Sequence, residues 1–130
     1  MTPRTARIAQ GMAAVIAILF GVATLFAGGR VLRGADPGYQ VFQPLLVYNT
    51  VMGAAYLAAG VTLWRSASAG RYAAGVIFLL NLLVLAAIVL VYRSGGGVAV
   101  DSLRAMTLRT TVWLVLFASV SWLVRSRAEA

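Results

Sequence analysis

Four long apolar runs alternate along the chain with short polar or Gly/Pro-rich stretches. They predict helices over residues 8–27, 43–64, 72–92 and 103–124, each near the roughly 20 residues that a helix needs to cross a bilayer. The first run follows Arg4 and Arg7 and exceeds the roughly 7 to 15 residue core of a secretory signal, so a retained helix is expected. On it Ala14, Ala17, Gly21, Thr24 and Gly28 share a face with Gln10 in line, the spacing that lets two membrane helices approach closely. On the second, Asn49, Gly53, Tyr56 and Gly60 fall within about 40° of one another at 3.6 residues per turn. That face reads as a helix-helix seam with an interhelical amide hydrogen bond, or as the lining of a ligand site. Asn81, near the middle of the third run, is that run's one strongly polar side chain and reads as a bond between helices.

The connections carry their own signals. GGRVLRGADPGYQVFQP is a loop with a turn at Asp36-Pro37-Gly38, and its Tyr39 and Phe42 suit the headgroup level. RSASAGR, residues 65–71, is a polar connection that forces an antiparallel hairpin. RSGGGVAVDS, with three consecutive glycines, predicts a mobile loop, and its Asp101 or Ser102 can cap the fourth helix. The whole is an all-α polytopic membrane protein, one domain over 1–130, with four transmembrane helices in an up-down bundle. Sliding the chain along itself brings Arg33 onto Arg93, Thr50 onto Thr110, Arg65 onto Arg125 and Ser66 onto Ser126, which is compatible with a duplicated helical hairpin.

Composition sharpens this picture. Hydrophobic residues make up 62% of the chain, against roughly 45 to 50% for soluble domains. The net charge of +8 comes entirely from arginine. Those arginines stand singly or in pairs at the ends of apolar runs, where they fix orientation and meet lipid headgroups, so nucleic-acid binding is not expected. Arg4, Arg7, Arg65, Arg71, Arg125 and Arg127 share the end of the bundle that holds both termini; Arg30, Arg33, Arg93, Arg104 and Arg109 share the other. The small excess favours cytoplasmic termini. Cysteine and histidine are absent, which excludes thiolate and imidazole chemistry and the usual zinc, copper and haem ligand sets within this chain. The side-chain carboxylates are Asp36, Asp101 and Glu129, none inside an apolar run. No catalytic residue, metal site or cofactor is expected.

The stretch DSLRAMTLRTTVW, from Asp101 to Trp113, carries the one candidate site. Arg109 lies roughly 12 Å along the helix from Asp101 at about 1.5 Å per residue, where an unpaired charge costs on the order of 3 kcal/mol or more. The positive end of the fourth helix, Arg104 and Arg109 together should draw an anion. Asn49 lies at a similar depth on the second helix, with Tyr56 on the same face. Trp113 is one turn on and could stack on the Arg109 guanidinium. Asp101 is placed to pair with Arg109 or Arg104. The readings for Arg109 are snorkelling to lipid phosphate or an internal ion pair, a site for an anionic or polar-headed lipophilic ligand, or a subunit contact.

FGVATLFAGGRVLRG, MGAAYLAAGVTLWRSASAGRYAAG and GGGVAVDSL give the chain a spacing that resembles the DoxX-like family of small four-helix bacterial membrane proteins. Arg30 stands where that family would be expected to carry a lysine. The resemblance implies an inner-membrane protein, sometimes an accessory subunit of a membrane oxidoreductase, with any redox centre supplied by another chain. It transfers no catalytic residue.

Two functions are therefore expected of the sequence. One is a non-enzymatic accessory or assembly subunit of an inner-membrane complex, working with membrane lipids and with another membrane protein or a second copy of itself. The alternative is an oligomeric anion channel or small carrier built around Arg104, Arg109 and Asn49.

Overall fold

The computed structural model describes residues 2–129; the side chain of Glu129 lies outside the description. Four helices follow one another, α1 (Pro3–Leu32), α2 (Gln43–Arg65), α3 (Ala67–Arg93) and α4 (Val100–Glu129). Each is long and apolar enough to cross a membrane. They form an antiparallel bundle in which α1 packs chiefly on α2 and α3 on α4, while α1 and α4 meet only lightly.

Three of the helices overrun the apolar stretches that predict them, and the reason is geometric. Thirty residues, as in α1 and α4, make a rod of about 45 Å, matching the roughly 40 to 45 Å of a bilayer with its headgroup layers rather than its hydrocarbon alone. The extra turns carry Arg4, Arg7, Arg125 and Arg127 into the polar zone. At the start of α1, Thr2 Oγ1 accepts from the Thr5 backbone N–H at 3.1 Å, and Pro3 sits in the first turn, where its missing N–H costs nothing.

The polar connection expected over residues 65–71 is mostly helix. Only Ser66 is extended; its hydroxyl caps α3 by accepting from the Ala69 N–H at 3.2 Å, and its own N–H closes α2 on the Thr62 carbonyl at 2.8 Å. So sharp a reversal presses Gly70 onto Leu63, where a Cβ would stand 2.7 Å from the Leu63 Cα. The triple-glycine loop before α4 is likewise held in place. Gly95 takes φ +78°, Gly96 N–H returns to the Val91 carbonyl at 2.8 Å, and Val98 is buried against Leu45, Ile88 and Met106. Asp101 and Ser102 fall inside the first turn of α4, so neither is the residue that precedes it.

α1 places small residues inside and large apolar ones outside. In α1, Ala14 and Ala17 are sealed at 0% and 1% exposure, whereas Leu19 and Phe26 stand 62% and 67% open. A soluble bundle would reverse this; lipid tails accept large side chains as readily as a core does, so helix contact is left to residues that let backbones meet. The small residues expected to form a seam on α1 and α2 do so, but the interhelical amide hydrogen bond expected on the Asn49 face is not made, Asn49 Oδ1 being buried without a partner. A Cβ on Gly21 would lie 2.6 Å from the Leu57 backbone nitrogen, one on Gly60 would lie 2.9 Å from that of Ile18, and Gly28 sits against Thr50.

Across the middle of the bundle the packing is tight and polar. Tyr48 donates its hydroxyl to Asn81 Oδ1 at 2.8 Å, and Asn81 Nδ2 donates to the Tyr56 hydroxyl at 3.0 Å. The Tyr56 ring lies 4.9 Å from that of Trp113, centroid to centroid. Asn81 thus joins α2 to α3, and Tyr56 and Trp113 join α2 to α4.

Candidate functional site

Above that layer, at the end opposite the termini, lies a cavity of about 340 Å³. Its walls come from three helices and one loop. α1 gives Thr24 and Arg30 among others, α2 gives Leu45 and Asn49, α4 gives Ser102, Ala105 and Arg109, and the α1–α2 connection contributes Asp36, Tyr39 and Phe42. Ser102, Ala105 and Arg109 recur at three- and four-residue steps and so form one stripe of α4.

The polar run around Arg109 explains why this residue stands apart. Thr107, Thr110 and Thr111 each donate a hydroxyl hydrogen bond of 2.8 Å to the carbonyl four residues earlier. That is the cheapest way to hide a hydroxyl in a membrane helix. Arg109 has no such recourse, because its Nε donor is buried with no hydrogen-bond partner. Asn49 Oδ1 and Trp113 Nε1 are buried and unpartnered in the same way. Three orphaned polar atoms therefore fall on neighbouring turns of α2 and α4, two donors and one acceptor, where an unmade bond costs about 1 to 3 kcal/mol each.

The six residues singled out from the sequence divide. Arg109 and Asn49 meet at the cavity, as their matched depth implies. Tyr56 and Trp113 lie deeper, each nearly sealed from the surface, and take up one another and Asn81. The expected stacking of Trp113 on Arg109 gives way to this contact; the cation-π pair found among the described residues is Arg30 over Phe26, 5.7 Å from the ring centre. Arg104 and Asp101 are exposed and outside the cavity lining. With Arg109 Nε unpartnered, the internal ion pair expected from Asp101 does not satisfy it. The physical reason is helical geometry, since Asp101 is eight residues from Arg109, about 12 Å along and 80° around, while Arg104, five residues away, is about 140° around at 3.6 residues per turn.

Asp36, Arg30 and Ser102 were not legible as site residues. Asp36 is held by an Asx turn, its Oδ1 accepting from the Gly38 N–H at 2.9 Å, and the DPG signal marks that turn without saying over which helix it folds. Ser102 could have been found by extending the Arg109 stripe back by one helical repeat.

No protein-family model, curated protein or solved structure matches the chain.

Proposed function

We propose that this is an integral membrane protein without a catalytic centre of its own, an accessory or assembly subunit of a bacterial inner-membrane complex. Its Asn49–Arg109 cavity holds the head of an anionic lipid or lipophilic ligand. Both termini face the cytoplasm, as the arginine excess at their end favours. The resemblance to the DoxX-like family agrees with a subunit that leaves chemistry to a partner chain.

One observation carries the reading. Arg109 and Asn49 line one cavity, and each keeps a buried polar atom without a partner beside it, Arg109 Nε and Asn49 Oδ1. An oxygen-rich anionic head that also bears a hydroxyl would satisfy donor and acceptor together. The sealed Tyr56–Asn81–Trp113 layer below the cavity supports a binding site with a floor over a pore through a single copy, and so ranks the anion channel second.

The test uses a Trp64→Phe/Trp122→Phe background, in which Trp113 is the sole tryptophan one turn below Arg109. Anionic phospholipid added to the protein in neutral detergent should shift Trp113 emission saturably, and phosphatidylcholine should not. Arg109→Leu should abolish the shift, and Arg109→Lys should restore only part of it, because lysine lacks the planar fork. An unchanged response in Arg109→Leu would rule out the site. For the subunit role, a cross-linked native membrane that yields only the lone monomer would count against it.

A further inference from the structure

The opposite end of the bundle holds a larger cavity, of about 830 Å³, that the Arg109 site does not involve. Arg4 and Arg7 of α1, Arg65 at the end of α2 and Arg127 near the end of α4 all line it, with Gln10, Gly11 and Trp64. From these we infer a second site, one that binds the phosphodiester of an anionic phospholipid at the terminal face.

The cavity is organised by Gln10. Its Nε2 donates to the Leu63 carbonyl at 2.8 Å, and its Oε1 accepts from Arg127 Nη1 at 2.7 Å. One amide therefore occupies a carbonyl at the C-terminal end of α2, where partial negative charge would otherwise compete for the arginines, and at the same time fixes the Arg127 guanidinium against the wall. The N-terminal turn of α1 adds the positive end of its dipole on the same side. Asp36 and Asp101 lie at the other end of the bundle, and Glu129 ends α4 at this one, against four arginines. Arginines from three helices line this one space, and their planar forks suit the paired oxygens of an anionic head.

Lipid is favoured over dissolved phosphate by the remaining wall. Trp64 is 61% exposed, and its ring edge lies over Gly11, 3.5 Å from where a Cβ would stand. An amphipathic ring at the end of a spanning helix sits at the membrane boundary, so the cavity opens where a glycerol backbone and the tops of acyl chains would lie. Basic pockets between transmembrane helices on this kind of face accept such headgroups.

Native mass spectrometry of the full chain released from neutral detergent tests the site, with phosphatidylglycerol, diphosphatidylglycerol and phosphatidylcholine offered at equal concentration. The unsubstituted protein should retain the two anionic lipids and not phosphatidylcholine. In the Arg109→Leu background, which leaves the terminal site alone, Arg4→Gln/Arg7→Gln, at two exposed positions that leave the Gln10 bridge intact, should weaken anionic-lipid retention by roughly tenfold or more. Arg30→Gln/Arg33→Gln at the other end, and Arg109→Leu, should each keep the lipid that Arg4 and Arg7 hold. This separates the inference from the Arg109 reading, since either site can fail alone. Retention that is equal for phosphatidylcholine, or that survives Arg4→Gln/Arg7→Gln in the Arg109→Leu background, overturns the inference. Displacement of the lipid by low-millimolar inorganic phosphate would assign the site to an aqueous anion and overturn it as a lipid site.

Discussion

Asn81 Nδ2 donates to the Tyr56 hydroxyl at 3.0 Å with both residues at 0% exposure, so the polar centre of this bundle is a bond between two sealed side chains. Tyr48 completes it from the other side of the amide. Removing Asn81 alone strands two hydroxyls at once. Asn81→Leu should therefore destabilise by about 2 to 4 kcal/mol, near the sum of two unmade buried bonds. Tyr48→Phe/Tyr56→Phe/Asn81→Leu should recover much of that loss, since no orphaned partner remains. Denaturation in mixed micelles of the single and triple variants measures the difference, and a triple variant weaker than Asn81→Leu would contradict the bond as the cause.

Gly21 makes a second, independent demand on the α1–α2 hairpin. A Cβ there meets backbone atoms of Leu57 and Gly53 at 2.6 and 2.9 Å, and backbone cannot rotate away as a side chain can. Gly21→Ala should cost about 1 to 3 kcal/mol through overpacking. Gly29→Ala, three residues before the end of α1 with open space around it, should be neutral or slightly stabilising. Thermal melts of the pair provide the comparison, and equal effects would mean that the close approach is not maintained.

These two contrasts mark what the sequence makes legible. The α1 face of Ala14, Ala17, Gly21 and Gly28 and the α2 face of Gly53 and Gly60 could be read because small residues at helical spacing have one common use in a membrane, close contact. Asn81 could be read because an amide in a long apolar run needs a partner. The same logic failed at Trp113, where proximity in helical phase to Arg109 said nothing of the aromatic ring waiting on α2. It failed again at Asp36, whose place on the cavity wall depends on how a ten-residue-scale loop folds across helices distant in sequence. Residues 65–71 misled for another reason: their polarity reports the headgroup layer, and helix persists through it.

The α2–α3 reversal offers a local test of that last point. Ser66→Ala removes the hydroxyl that caps α3 and should lower stability by about 1 kcal/mol. Ser66→Asp should preserve the cap. Gly70→Val should be far worse than either, because its Cβ would collide with the Leu63 backbone. Hydrogen exchange at Ala69 and Gly70 would register the change; protection that is unaltered in Ser66→Ala would show that the hydroxyl does not hold the turn.

Asp101 and Arg109 give the sharpest prediction, because helical phase and burial set them apart. Asp101 is exposed while Arg109 Nε is buried and unpartnered, so Asp101→Asn should change stability by no more than about 0.5 kcal/mol, as surface substitutions do. Arg109→Leu should behave in the opposite way from a broken ion pair. In lipid-free neutral detergent it removes a donor that lacks its bond, and the melting temperature should hold or rise. With anionic phospholipid present, the unsubstituted protein should gain stability as ligand occupies the cavity, and Arg109→Leu should gain less. Asn49→Leu should follow the same pattern, and the double variant should add little to either, since both residues serve one bound head. Melts of these variants with and without lipid are the measurement. A loss of 3 kcal/mol or more in Arg109→Leu without lipid would make the arginine structural, whereas crossing of the two stability orders on lipid addition would mark it as kept for a ligand.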